Sequence, residues 1–261
     1  MGKHYWHIFF DLHGVLADVN AVNKNYQNYL IKILTPTGIS LNEVKEIHEK
    51  GFKKWITDIT HLFNEFEEWE NDETSLEAFM RNYKLIDWKW EEFILDFVPL
   101  KHKKSIRPLL NTSLVEYEAL VNGPYPILYP EVNPLLKELK KIKDLFLHIA
   151  SSASSEHVKG AVDLHNLRNF FINLIGYDTV RAPKKASSGI YFKSMLEITD
   201  ANPSRSIFVG DSKEEANLAS KFGMEYIMVW RDFHSEESRN MGFRIIDNLT
   251  ALLPIIKELI V

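Results

Sequence analysis

The stretch Phe9-Phe10-Asp11-Leu12-His13-Gly14-Val15-Leu16 closes a short apolar run, Trp6 to Phe10, with an aspartate and brings a glycine three residues later. Continuous apolar runs of that length read as strands buried on both faces, as in a parallel sheet. A glycine lets the chain turn tightly beyond the strand. Asp11 therefore falls in a loop at the carboxyl end of a strand, where open α/β sheets hold their ligands. Taken alone, such an aspartate equally serves as the cap of a turn.

Four further apolar runs share this character: Leu145 to Ala150, Phe171 to Ile175, Ile207 to Val209 and Tyr226 to Trp230. Amphipathic stretches of helical length alternate with them, over Pro134–Lys143, Ser155–Asn166, Ile190–Thr199 and Glu214–Phe222. That alternation predicts βαβ units in an α/β fold, a doubly wound parallel sheet. The first run is separated from the others by a segment of different character. It carries Trp55, Trp69, Trp88 and Trp90, the acidic cluster from Glu65 to Glu73, and helical spacing throughout. Gly123-Pro124-Tyr125-Pro126 punctuates its end. The expected organisation is a core from 1–18 and 126–261, with a mostly helical insert over 19–125.

Three more clusters lie at predicted strand ends. Ser151-Ser152-Ala153-Ser154-Ser155 offers hydroxyls and, at the start of a helix, backbone N–H groups suited to an anion; serine-rich helix starts are also ordinary caps. Lys184-Lys185 stands between a strand and a helix, and by itself reads as a solvated pair. Gly210-Asp211-Ser212-Lys213-Glu214-Glu215 repeats the pattern of the first stretch, with an acid beyond a strand and a second acid four residues on.

In this order the four clusters resemble the haloacid dehalogenase-like hydrolases, whose core is Rossmann-like. Asp11 to Leu16 is similar to the first family motif except at His13, where the family's phosphatases carry a second aspartate. Ser151 resembles the hydroxyl of the second motif. Lys185, spaced before Ile190-Tyr191, resembles the lysine of the third, although the prolines of that motif are missing. Gly210-Asp211-Ser212 with Glu215, then Gly223-Met224, resembles the fourth. The likeness lies wholly outside the insert.

The resemblance implies a Mg²⁺-dependent phosphatase acting on a small phosphorylated metabolite through an aspartyl-phosphate at Asp11. Asp11, Asp211 and the backbone carbonyl of His13 would hold the metal through hard oxygen donors. Ser151, Ser152 and Lys185 would hold the transferring phosphoryl group. Glu215 and Ser212 would stand behind them, orienting the metal's waters or the lysine. His13 takes the acid/base position, a task imidazole suits because its ordinary pKa of about 6.5 lies near working pH. The insert occupies the place of a family cap that encloses the substrate. Its tryptophans read as helical core, and the run Lys101-His102-Lys103-Lys104 as a solvated face.

Other chemistries remain open within this frame. They are a different leaving group (halide, a phosphonate with an imine-forming lysine such as Lys53 or Lys54, or sugar-phosphate mutase chemistry), enolase-phosphatase chemistry, and a non-catalytic descendant that binds a phosphorylated ligand or a protein. Composition narrows the rest. A net charge of -5 and a pI near 6.1 give no basic footprint for nucleic acid. With no cysteine there is no disulfide framework and no thiolate nucleophile. No apolar run reaches the length of a membrane span, so no membrane partner is expected and the cytoplasm is the expected location.

Overall fold

The computed structural model describes residues 5–69, 77–82, 90–110, 120, 122–231 and 242–260, without the side chains of 63–65, 67–69 and 90. The chain divides into two compact units, Met1–Asp18 with Leu128–Val261, and Val19–Ile127.

The first unit is built on six parallel strands: β1 (Trp6–Phe10), β2 (Leu145–Ala150), β3 (Asn173–Ile175), β4 (Ser206–Gly210), β5 (Glu225–Val229) and β6 (Arg244–Ile246). Their order is β3-β2-β1-β4-β5-β6. β1 and β4 are buried almost throughout, as strands covered on both faces must be. One layer of the core joins Ile8, Phe10, Ile149, Ile207, Val209 and Ile227 from the sheet to Val132, Leu135, Leu136 and Leu139 from a helix. The spacing of that valine and those three leucines places them on one side of that helix.

β1 and β2 begin and end where their apolar runs do. β3 is shorter than its run, because Arg168–Phe170 forms a 3-10 turn and Phe171 only leads into the strand. β6 has no counterpart among the five expected strands. It is three residues long, carries Arg244 at its start and, among the described residues, pairs with β5 alone.

The second unit is helical among its described residues, with α1 (Val19–Leu34), α2 (Leu41–Trp69), α3 (77–82), α4 (Trp90–Phe97) and α5 (Leu100–Ile106). Ser40 and Glu43 start α2 with reciprocal bonds: the Ser40 N–H donates to Glu43 Oε2 (2.9 Å), and the Glu43 N–H donates to Ser40 Oγ (3.3 Å). Its core gathers Leu30, Leu34, Val44, Ile47, Ile94, Leu95 and Ile106. Gly51 lets α2 approach α4 closely, since a Cβ there would come within 2.7 Å of Ile94 Cδ1. The two ends of the unit are stitched by Asn25, whose amide donates to the Tyr125 carbonyl (2.8 Å) and accepts from the Tyr125 N–H (3.1 Å). The chain passes back to the sheet between Ile127 and Leu128.

Trp55 is half-buried, while Trp88, the side chains of Trp69 and Trp90, and most of the Glu65–Glu73 cluster lie outside the described residues. Lys101 and Lys104 are exposed on α5, and Lys54 pairs with Asp96 at 3.1 Å. Among the described residues no helix is long and apolar enough to cross a membrane.

Candidate active site

The strand order reverses at β1. The chain moves from β1 to β2 and β3 on one side and reaches β4, β5 and β6 on the other. Such a reversal opens a crevice at the carboxyl ends of the two central strands. Asp11 follows β1 and Asp211 follows β4, so the two acids flank that crevice.

Local hydrogen bonds set the first loop. The Asp11 N–H donates to the Val209 carbonyl (2.9 Å), which ties the loop to β4. The Leu12 N–H donates to Asp11 Oδ1 (2.7 Å) and orients the carboxylate. Gly14 has φ +80°, and a Cβ there would fall 1.9 Å from Asp211 Oδ2. Any side chain at this position would evict the second aspartate, so both the backbone angle and the close approach demand glycine. Gly210 serves the same end beneath Glu215, where a Cβ would sit 2.3 Å from Oε2.

A lysine holds the centre. Lys184 Nζ lies 2.5 Å from Asp11 Oδ2 and 2.8 Å from Glu215 Oε1. All three side chains are buried. Burial pulls the Lys184 ammonium down, but the attraction of Asp11 and Glu215 outweighs it, and the net direction is upward. Burial pushes Glu215 up, with Lys184 opposing it. Burial, then repulsion from Asp11 and Glu215, pushes Asp211 up to about 7.

One carboxylate oxygen from each of Asp11, Asp211 and Glu215 lies within 4.8 Å of the others. Glu215 Oε2 is buried with no hydrogen-bond partner among the described residues. Three clustered carboxylates, two of them paired to one buried ammonium, form a hard-oxygen set that suits Mg²⁺ or a similar divalent cation.

The second loop supplies hydroxyls. Register Phe10↔Ile149 sets Asp11 and Ser151 on adjacent strands at the same edge. Ser151 is buried, and its N–H donates to the Ile175 carbonyl (2.9 Å). The hydroxyl of Tyr191, itself wholly buried, lies 3.1 Å from the carbonyls of both Ser151 and Ile175 and braces this turn from below. Ser154 then caps helix α7 (Ser155–Leu164; Val132–Leu139 is α6), accepting from the His157 N–H at 3.2 Å. His157 faces His13 across the two loops, Nε2 to Nε2 at 3.3 Å.

Arg231, just beyond β5, braces the first loop from the other side. Its guanidinium donates to the Val15 carbonyl (3.0 Å) and Glu131 (2.9 Å), and lies 3.5 Å from the Tyr129 ring centroid.

Asp11, Ser151, Asp211 and Glu215 thus come together at one edge, with His13 and half-buried Ser152 in the loops around them. Ser212 does not face the charges: it caps the helix over Lys213–Lys221, accepting from the Glu215 N–H (3.3 Å), and so places Glu215 in the first turn. Lys184, the neighbour of the expected Lys185, is the lysine that lies against the acids. The Ala186 N–H donates to the Pro183 carbonyl (3.2 Å), which makes Pro183–Ala186 a tight turn. Its two central side chains diverge, Lys184 inward and Lys185 to solvent. Spacing from Ile190-Tyr191 could not distinguish them. His157 and Arg231 carried no motif signal, and Tyr191 entered only as a spacing marker for the lysine. A histidine in the first turn after the serine cluster was the available clue to His157.

The family model for haloacid dehalogenase-like hydrolases matches residues 8–229. A phosphoglycolate phosphatase of Pseudomonas putida is 26% identical over 133 residues, 49% of this chain and 47% of that protein. The chain therefore spans about half the length of that relative. Among solved structures, a HAD phosphatase from Thermococcus onnurineus superposes with a TM-score of 0.59 at 19% identity, covering 96% of this chain and 97% of the other. An L-2-haloacid dehalogenase from Xanthobacter autotrophicus gives 0.57 at 15% identity, covering 97% and 98%. At such identities these two structures establish a shared fold.

Proposed function

The chain belongs to the haloacid dehalogenase-like hydrolases, and on that premise we propose that it is a Mg²⁺-dependent phosphatase of a small phosphomonoester, with Asp11 as nucleophile. The observation that carries this reading is the clustering of the Asp11, Asp211 and Glu215 carboxylates, with Asp11 and Glu215 paired to a buried ammonium. Displacement of a halide needs no cation, whereas phosphoryl transfer needs one to offset the charge that repels a nucleophile. The phosphatase relative adds support from sequence.

In this proposal the Asp11 carboxylate attacks phosphorus, the bond from phosphorus to the leaving oxygen breaks, and His13 protonates that oxygen. Water then attacks the aspartyl-phosphate while His13 takes its proton, the acyl-phosphate P–O bond breaks, and phosphate leaves. A Mg²⁺ held by Asp11, Asp211 and the backbone carbonyl of His13 would supply charge neutralisation to the phosphoryl oxygens. Ser151 and Ser152 would bind those oxygens. Lys184, in place of Lys185, would orient the Asp11 carboxylate. Glu215 holds Lys184 from behind. The helical unit Val19–Ile127 is assigned the cap's task of reading the substrate.

The test is phosphate release from a panel of phosphomonoesters, phosphoglycolate included, measured against Mg²⁺ concentration. The reading expects release that saturates with Mg²⁺ and disappears on chelation. Release of halide from a 2-haloacid, with none of phosphate, would replace it.

A further inference from the structure

Where the family's phosphatases carry a second aspartate, this chain has His13, and the structure pairs that histidine with another. His13 lies in the loop after β1, and His157 in the first turn of α7. Their Nε2 atoms are 3.3 Å apart, with ring centroids at 5.2 Å and planes at 43°. Two imidazole nitrogens at that distance make a hydrogen bond only if one carries the proton and the other the lone pair. The pairing therefore makes the two tautomers complementary, one ring donating and the other accepting, and holds both rotamers.

His157 is well placed to impose the constraint. Its backbone N–H is held by the Ser154 cap. The same first turn is anchored where Ser155 donates through both N–H (2.7 Å) and Oγ (2.6 Å) to Asp178. His13 sits on a loop, so its ring orientation depends on what it touches.

We propose that His157 is a positioning residue for the reaction: its imidazole holds the His13 ring, through the Nε2–Nε2 hydrogen bond, in the orientation and tautomer from which His13 exchanges its proton with the leaving oxygen. The proposal rests on the phosphatase reading above. An aspartate at position 13 would be symmetric about its own axis and need no such partner. A histidine presents two inequivalent nitrogens, and an unheld ring would offer the wrong one part of the time. The dependence of acid/base catalysis on geometry makes that costly in rate.

The experiment pairs kinetics with ring-nitrogen NMR on the full chain. In His157→Ala, kcat is expected to fall about 10- to 100-fold with KM nearly unchanged, as for misplacement of a reacting group. His157→Gln, which keeps a donor and an acceptor on a side chain of similar reach, should recover part of the loss. Combined with His13→Ala, His157→Ala should add nothing further, since the two act as a unit. In ¹H–¹⁵N spectra the His13 ring should show one tautomer in the wild type and an average of two in His157→Ala. A wild-type kcat in a folded His157→Ala protein overturns the proposal, as does a His13 tautomer already averaged in the wild type. If no phosphomonoester is turned over while the tautomer is fixed by His157, the phosphatase reading falls and the ring-holding role stands.

Discussion

β1 and β2 bury polar groups in two places and satisfy them in opposite ways. At the carboxyl edge the protein buries charge: Asp11, Lys184 and Glu215 lie in contact, with Asp211 beside them. A few residues back along the same strands it buries neutral rings. The Asn173 amide donates to His148 Nδ1 (3.1 Å), so His148 carries its proton on Nε2 and donates it to His7 Nδ1 (3.0 Å). Burial, reinforced by repulsion from His7, pushes His148 down to about 3, and burial lowers His7. One region keeps its protons off by withholding charge. The other gathers charge whose surplus calls for a cation. Buried polar groups along one strand thus divide by chemistry: those that pair off neutrally serve packing, and those left with excess charge mark the site.

The sharpest way to break this comparison is Lys184→Ala. Removing the ammonium leaves Asp11 and Glu215 buried without their partner, a change worth about 3–5 kcal/mol of stability in comparable ion pairs. Phosphate release should fall roughly 100- to 1000-fold, the scale of losing one electrostatic contact at a reacting centre. Thermal melting and steady-state rates check the two effects. Lys185→Ala, at the solvent side of the same turn, should change neither by more than a small factor. Equal effects of the two substitutions would undo the assignment of the lysine.

A pH titration of stability probes the neutral pair. The folded pKa of His148 is depressed below an unfolded value of about 6.5, so the unfolded chain binds the extra proton. The stability from this group is fully present above that unfolded value and is lost as pH falls toward about 3. Across that window His148 should contribute a slope of up to about 1.4 kcal/mol per pH unit to denaturant-derived stability. In His148→Leu that component should vanish. An unchanged slope in the variant would show that other groups govern acid sensitivity.

A smaller effect is expected at Arg231. Arg231→Lys keeps the charge but loses the forked contacts to Glu131 and the Val15 carbonyl and the stacking on Tyr129. Because the brace acts on the Asp11 loop through its backbone, kcat should drop about tenfold, with a modest loss of melting temperature. Wild-type kcat in this variant would confine Arg231 to packing.

Much of the core was legible because its strands are buried on both faces, which leaves uninterrupted apolar runs such as Leu145 to Ala150. β6 escaped because three residues headed by Arg244 make no such run. Asp11, Ser151, Asp211 and Glu215 were legible because each follows a strand in a spaced motif. Which of Lys184 and Lys185 points inward was not legible, because inward and outward positions of a tight turn look alike in sequence. His157, Tyr191 and Arg231 reach the site through contacts between segments distant in the chain, which no local pattern encodes. Gly14 reads as a turn glycine in sequence; that it also makes room for Asp211 emerges only when β1 and β4 are set side by side.

The central claim is that Asp11 carries the phosphoryl group, and the most direct measurement is acid-quench trapping during turnover of a phosphomonoester with Mg²⁺, followed by mass mapping of the peptide containing Asp11. The account predicts a phosphoryl adduct on Asp11 that forms within one turnover and is absent from Asp11→Asn, which also loses steady-state release by roughly a thousandfold or more. Phosphate release that proceeds without an adduct and survives Asp11→Asn would contradict it.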